Sequence, residues 1–466
     1  MKEKVINNLL AGNSPINSIK FVNFRQKKPN MNTTILFRSL LIFFLCITKI
    51  NAQEVLTIEE AMKIALENNF EIRIAKNNTK ISETNVTIGN AGMLPVATAS
   101  ITDNNSIQNS SQTRQDGTST SLKNAKNNSL NYGVSLGWTV FDGMRMFARL
   151  DQLKELQKLG DSEFKRIVLV KIGQVNSSYY DLVQQQQQLA ALDTTIVISK
   201  QRLTLAQNRF SIGKASKLEV LNAQVDLNSD QVALLRQKES YANAKILLNQ
   251  YLARDPKVDF KVTDLVTVDK TLILANLVDL AQKQNPGLES QIINKRIAEL
   301  QLKQVRANRY PVVTLNSGYN FAESQSSLGF TSQSSARGLN YGFTASVNVF
   351  DGFNQHRNEK VAKLQIENTQ IAIEQQNMIL NTQLSTAFQT YLTNLELIDL
   401  EEDNEAIAKQ NLQITLDKFR IGTITTIDFR TAQLNYVNAK VRYSNSQYEA
   451  KLSEIALKEL AGNINF

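Results

Sequence analysis

One histidine, His356, and one cysteine, Cys46, occur among 466 residues, so a histidine-based metal cluster or a Ser-His-Asp triad cannot be assembled within one chain. Glu401 and Glu402 are neighbours on a helix-forming stretch and point apart, unlike two carboxylates facing each other across a cleft. No glycine-rich phosphate loop ending in Lys-Ser or Lys-Thr is present. Two acids hold matched positions in the chain. Glu219 stands six residues past Gly213, and Asp428 six past Gly422. A matched pair of turns points to a repeated scaffold, and no enzyme reading finds residues to stand on.

The elements that carry those turns are duplicated. Asn131-Tyr132-Gly133 recurs as Asn340-Tyr341-Gly342, Val140-Phe141-Asp142-Gly143 as Val349-Phe350-Asp351-Gly352, and Phe210-x-Ile212-Gly213 as Phe419-x-Ile421-Gly422. Ala223-Gln224 recurs as Ala432-Gln433, and every pair keeps one offset. Upstream, Leu94-Pro95-Val96 matches Tyr310-Pro311-Val312 and Asn69 matches Asn285, at an offset seven residues longer. The difference falls between, in a segment read as a variable loop. The expected organisation is an extension plus export signal over 1–52, a first copy over 53–254, a linker over 255–275 and a second copy over 276–466.

Each copy reads helix, strand, loop, strand, long helix, turn, helix. Leu182, Leu189, Ile196, Leu203 and Phe210 recur every seven residues, as do Ile427, Leu434, Val441, Tyr448 and Ile455. That spacing predicts coiled-coil-like packing. A helix over 144–211 would be roughly 100 Å long at 1.5 Å per residue. The shorter helices expected over 215–252 and 280–309 could stack to match it. Pro95, Pro256, Pro286 and Pro311 all lie outside the two longest helices.

Four segments alternate as strands do. Tyr132, Val134, Leu136, Trp138 and Val140 face one way, opposite Asn131, Gly133, Ser135, Gly137 and Thr139. Tyr341, Phe343, Ala345, Val347 and Val349 repeat the pattern, as do Val313, Leu315, Tyr319 and Phe321. A fourth run over 96–102 is weaker and leans on its alignment with the third. About ten alternating residues suit a strand with lipid on one face and water on the other, although a half-buried soluble hairpin shares the pattern. The polar stretches 103–130 and 322–339 read as long outer loops. Lipid permits no open sheet edge, and four strands are too few to close a barrel, so membrane strands here would require further copies of the chain. Trp138 is expected at an interfacial aromatic belt.

Charge supports export and not nucleic-acid binding. Residues 1–52 hold eight Lys and Arg against one acid, and the rest is nearly balanced, with 44 basic and 42 acidic residues. No concentrated basic face remains to neutralise phosphates. Arg38 followed by Leu40-Leu41-Ile42-Phe43-Phe44-Leu45 and then Asn51-Ala52 reads as a signal segment beginning at Met31. Cys46 would depart with it, and the bulky Phe44 and Leu45 before it argue against lipid attachment.

The duplicated plan, the Phe-Asp-Gly after strands two and four and the Phe-x-Ile-Gly turns resemble the TolC-type outer-membrane efflux and secretion channels. The stretch Leu56-Thr57-Ile58-Glu59-Glu60-Ala61 is similar to that family's start, and the resemblance covers about 54–462. It implies a mainly α fold with a small membrane β part. Long duplicated helices would form an α-barrel, and four strands per protomer would enter a 12-stranded β-barrel in a homotrimer. It also implies an outer-membrane location in a Gram-negative cell, a periplasmic adaptor (membrane fusion) protein and an inner-membrane transporter as partners, and no cofactor. Residue by residue, it implies a pore constriction at Glu219, Asn222, Asp428 and Thr431. The adaptor-contacting tip would comprise Arg209, Ile212, Gly213, Lys214, Lys418, Ile421, Gly422 and Thr423. Thr431 replaces the family's second aspartate, and Ile424 stands where the best-known members carry a basic gating residue. A periplasmic adaptor or a pore-free coiled-coil scaffold are the competing readings; little glycine opposes the first, and the alternation and the signal oppose the second.

Overall fold

The computed structural model describes residues 55–328 and 331–463; the expected signal segment and the terminal Phe466 lie outside them. The chain runs β1 (Val55–Leu56), α1 (Ile58–Asn68), α2 (Phe70–Thr84), β2 (Val96–Thr113), β3 (Ser119–Phe141), α3 (Arg145–Ser211) and α4 (Lys217–Tyr251). It continues with β4 (Lys261–Val262), α5 (Leu274–Gln284), α6 (Pro286–Ala307), β5 (Val312–Ser326), β6 (Gln333–Ser346), α7 (Asn354–Ile421) and α8 (Thr426–Leu460). Among the described residues no helix is long and apolar enough to cross a membrane.

The long helices α3 and α7 have 67 and 68 residues. The Phe-Asp-Gly motif explains how each begins. Asp142 accepts the Met146 N–H at 3.0 Å, and Asp351 accepts that of Gln355 at 2.7 Å, so an acid satisfies an orphan donor at each helix start. Gly143 and Gly352 precede them with φ of 70° and 67°, the left-handed conformation that turns strand into helix. A Cβ at Gly143 would lie 2.4 Å from the Ala307 carbonyl oxygen, whereas one at Gly352 would meet nothing closer than 3.8 Å.

The leading helix of each copy is not continuous, contrary to the single helix expected over 280–309. It breaks at Asn69 and at Asn285, whose side chains cap the following helix. Each asparagine also ties that break to the end of its neighbour: Asn69 donates to the Tyr251 carbonyl at 2.8 Å and Asn285 to that of Leu460 at 3.0 Å. Pro286 then occupies the first position of α6, where its missing N–H costs nothing.

Near the turns the helices lie in the order α4, α3, α8, α7, and nearer the sheet α2, α3, α6, α7. The largest core gathers where β1, β4, α1, α3, α4 and α8 meet, around Val175, Tyr179, Leu182, Leu248, Phe260 and Ile455. The parallel pair β1–β4 had no sequence signal, being two residues long on each side. In α8 the seven-residue stripe is buried only at its far end. Ile455 is buried while Ile427 and Leu434 are exposed, and Phe429, Ala432 and Gln433 take the inner face instead.

The four remaining strands form one antiparallel sheet in the order β2-β3-β5-β6. Its pairing runs on through the stretches expected to be loops. β2 and β3 stay paired to Thr113 and Ser119, leaving only 114–118 as the turn, and β5 and β6 pair to Gln325 and Gln333. Polar side chains do not end a hairpin whose backbone groups remain matched; they only mark where both of its faces meet water. Trp138 donates its ring N–H to the Met93 carbonyl at 2.9 Å, at the end of the sheet nearest the helices.

Candidate functional site: the helical turns and the sheet face

The two turns end their helices alike. The N–H of Lys214 bonds to the Arg209 carbonyl (2.8 Å) and that of Gly213 to Phe210 (3.0 Å); Thr423 and Gly422 repeat this with Lys418 (3.0 Å) and Phe419 (3.1 Å). This is the glycine-terminated helix cap, with φ of 72° at Gly213 and 85° at Gly422. Ile212 and Ile421 are exposed to 66% and 75%, the apolar prows of the two turns. Lys214, Lys418 and Thr423 are exposed beside them.

Arg209 is engaged within the chain. Its guanidinium donates to the Phe419 carbonyl, sits 4.9 Å above the Phe419 ring and lies 3.9 Å from Glu219. It therefore clips the first turn onto the second. Phe419 stacks on Phe429 at 5.0 Å, and Ile424 packs against the same apolar cluster with Leu412.

Glu219 and Asp428 both occupy the third position of the outgoing helix. Ser216 accepts the Glu219 N–H, and Thr425 and Asp428 bond reciprocally as a complete capping box. Ser216-x-x-Glu219 and Thr425-x-x-Asp428 are the sequence signals of that local role. Asn222, Asp428 and Thr431 stand exposed, and Thr431 returns its hydroxyl to the Ile427 carbonyl at 3.0 Å.

Above the turns lies a charged cluster that sequence reasoning missed. Arg202, 3% exposed, pairs with Asp226 at 2.5 Å and donates to Thr426 at 3.0 Å. Arg430 grips Asp230 through two bonds of 2.7 and 2.8 Å, and Ser199 and the fully buried Gln433 complete the network. Two arginines and two aspartates thus join α3, α4 and α8 at net zero charge, with Arg202 Nη1 the one buried nitrogen there left without a partner. Every residue in this cluster looks like ordinary helix surface in sequence, since its partners are up to about 230 positions away.

At the opposite end, the sheet separates two kinds of surface. One face carries Trp138, Leu315 and Phe343 in one cross-strand row, then Leu136 and Tyr341, then Val134, Tyr319 and Leu339, then Ile101, Tyr132 and Phe321. Most of these are exposed, with Tyr341 at 83% and Phe343 at 73%. Water would not tolerate so broad an apolar sheet face uncovered. The other face carries Asn, Ser, Thr and Gly. Long duplicated helices end in this two-faced sheet, and the family's sequence profile, described as "Outer membrane efflux protein", matches the chain twice, over 61–254 and 277–463.

The chain belongs to the outer membrane efflux protein family. Relatives include the outer membrane protein TolC of Vibrio cholerae, 22% identical over 323 residues covering 68% of this chain and 73% of that one. The probable outer membrane lipoprotein SilC of Salmonella typhimurium is 21% identical over 410 residues, covering 84% and 83%. Among solved structures, the Campylobacter jejuni CmeC outer membrane channel superposes with a TM-score of 0.72 at 16% identity, covering 87% of this chain and 85% of that one. The outer-membrane channel OprN gives 0.71 at 16% identity, covering 87% and 90%. This efflux-family protein is an outer-membrane channel of the efflux and secretion type, in the outer membrane of a Gram-negative bacterium. Its family is one of channels, not of enzymes.

Proposed function

We propose that three copies of this chain close a 12-stranded barrel in the outer membrane, above a helical tube that receives cargo from a periplasmic adaptor and an inner-membrane transporter. The observation that carries the reading is the sheet with two unpaired edges, β2 and β6, and one apolar face. Unpaired backbone groups are untenable in hydrocarbon, and further copies are the means of pairing them. The helices support the same closure. Leu400, Ile407 and Ile414 form an exposed stripe of sevens on α7, and Leu218, Val225 and Val232 form another on α4. These helices are the two outer members of the layer near the turns, so each stripe suits the opposite stripe of a neighbouring copy.

The turns would then gather into the mouth of the tube. Ile212, Lys214, Lys418, Ile421 and Thr423 offer an apolar-basic rim for the adaptor, with Gly213 and Gly422 fixing its shape. Arg209 acts from inside, by holding the two turns together. Glu219, Asn222, Asp428 and Thr431 would line the constriction, where charged rings act on ions by simple electrostatics.

The test is purification in detergent, mass measurement of the oligomer and planar-bilayer conductance. A three-copy particle that conducts is expected. A water-soluble monomer without affinity for bilayers would refute the proposal.

A further inference from the structure

The charges of the sheet are distributed unevenly between its faces. On the polar face, β2 presents Thr98, Ser100, Thr102, Asn104 and Ser106, and β3 presents Asn127, Ser129, Asn131, Gly133, Ser135, Gly137 and Thr139. β5 adds Thr314, Asn316, Gly318, Asn320, Ala322, Ser324 and Ser326, and β6 adds Ser334, Ala336, Gly338, Asn340, Gly342 and Thr344. None is ionisable. Of the charged residues in these strands, Asp103, Lys126, Glu323 and Arg337 fall on the apolar face, and Lys123 sits in the irregular stretch near the hairpin tip, between the pairs Gln108–Ala125 and Ser110–Leu122. Arg337 shares the last apolar row with Tyr132 and Phe321, and Asp103, Lys126 and Glu323 lie in rows beyond it, where lipid gives way to water.

The polar face is also internally tied. Asn316 donates to the Thr344 hydroxyl (3.3 Å), Ser326 to the Asn127 side-chain oxygen (2.6 Å) and Ser135 to the Thr98 carbonyl (3.4 Å). Asn320 lies across Gly133, where a Cβ would come within 2.5 Å of its side-chain oxygen. Amides and hydroxyls offer donors and acceptors together, so such a wall solvates cations and anions alike.

We infer that the membrane-spanning wall of the channel is built without fixed charge, so that it passes solutes of either sign and leaves sorting by charge to the helical end. The inference rests on the proposed assembly, in which the polar face lines the lumen. It assigns the cargo requirement of this segment as size and hydration, not sign.

Cys46 is the only cysteine, so Asn320→Cys, made with Cys46→Ser, places a single thiol on the polar face. The full-length assembled protein is treated at about 10 mM salt, where screening is weak, with trimethylammonioethyl or sulfonatoethyl methanethiosulfonate. The thiolate attacks the reagent's sulfenyl sulfur, forming a mixed disulfide and releasing methanesulfinate. Each rate is divided by the same reagent's rate with 2-mercaptoethanol. The cation-to-anion ratio is expected within about twofold of one, because no nearby fixed charge biases approach. Adding Asn131→Asp, a diagonal cross-strand neighbour about 7–8 Å away, is expected to raise it about threefold or more. Adding Asp103→Asn with Glu323→Gln is expected to leave it unchanged. A starting ratio beyond about fivefold in either direction, or a shift on neutralising Asp103 and Glu323 as large as that from Asn131→Asp, overturns the inference. A thiol unreactive towards both reagents also overturns it by showing a dry face. Failure of the assembly itself shows separately, as absence of conductance.

Discussion

The two arginine–aspartate pairs above the turns cost desolvation that their pairing and the hydrogen bonds from Ser199 and to Thr426 and Gln433 offset. Removing one partner from such a buried pair costs about 3–5 kcal/mol, whereas replacing both by apolar groups of similar size is often neutral. Arg430→Met or Asp230→Leu alone should therefore raise hydrogen exchange in the neighbouring backbone of α3 and α8, and the double variant should recover most of the protection; exchange read by mass spectrometry decides it. The repeat also makes unequal demands on equivalent glycines. Gly143→Ala meets both a positive φ and the Ala307 carbonyl, while Gly352→Ala meets the φ alone. Substitution at Gly143 should abolish or sharply reduce recovery of folded oligomer, and at Gly352 should cost about 1–2 kcal/mol, seen as a modest drop in melting temperature. In sequence the two glycines are indistinguishable, because what separates them is the carbonyl of a helix more than 160 residues away. The acids Glu219 and Asp428 show the reverse case: their capping role was legible in four residues, Ser216-x-x-Glu219 and Thr425-x-x-Asp428.

Among the elements, α3 and α8 approach closely enough for the Glu459 carboxylate to lie 2.6 Å from where a Cβ of Gly173 would stand. Burial pushes the Glu459 carboxyl above the usual carboxylate range. Below the unfolded-state value the group is protonated in both states and carries no penalty. As pH rises past it, the unfolded chain ionises first, and the native state loses relative stability until its own carboxyl ionises as well. Glu459→Gln should therefore melt higher than the parent at pH 7 and level with it near pH 4, in detergent melts followed by intrinsic fluorescence. An equal gap at both pH values would exclude the ionic explanation. The long helices and the alternating strands were legible because each follows its own period for many residues. The break at Asn69 was not, since a cap inside a continuous helical pattern shows itself only through the Tyr251 carbonyl it binds, whereas Asn285-Pro286 did carry a helix-start signal in sequence. Nor was the length of the hairpins: apolar alternation reports contact with lipid, while strand pairing needs only matched backbone groups.

For the whole molecule, the exposed sevens on α7 separate folding from assembly. Ile407→Asp with Ile414→Asp leaves the packing of α7 on α8 untouched, because both side chains point away from the protomer core. The variant should retain its helical circular dichroism but fail to form the three-copy particle, as mass measurement in detergent would show. A normal oligomer would place the copy-to-copy contact elsewhere. The two hairpins of one chain also differ in height. Past the row of Ile101 and Tyr132, β2 climbs twelve residues to Thr113, about 40 Å at 3.3 Å per residue, while β5 climbs five from Phe321 to Ser326. Around the proposed closed ring of three chains, tall and short parapets would alternate, and the stretch from Asn109 to Asn124 would be the part that an approaching body met first. A short tag inserted within 114–118, the turn at that crest, is expected to leave the paired wall beneath it intact and so to mark living cells without loss of the folded oligomer.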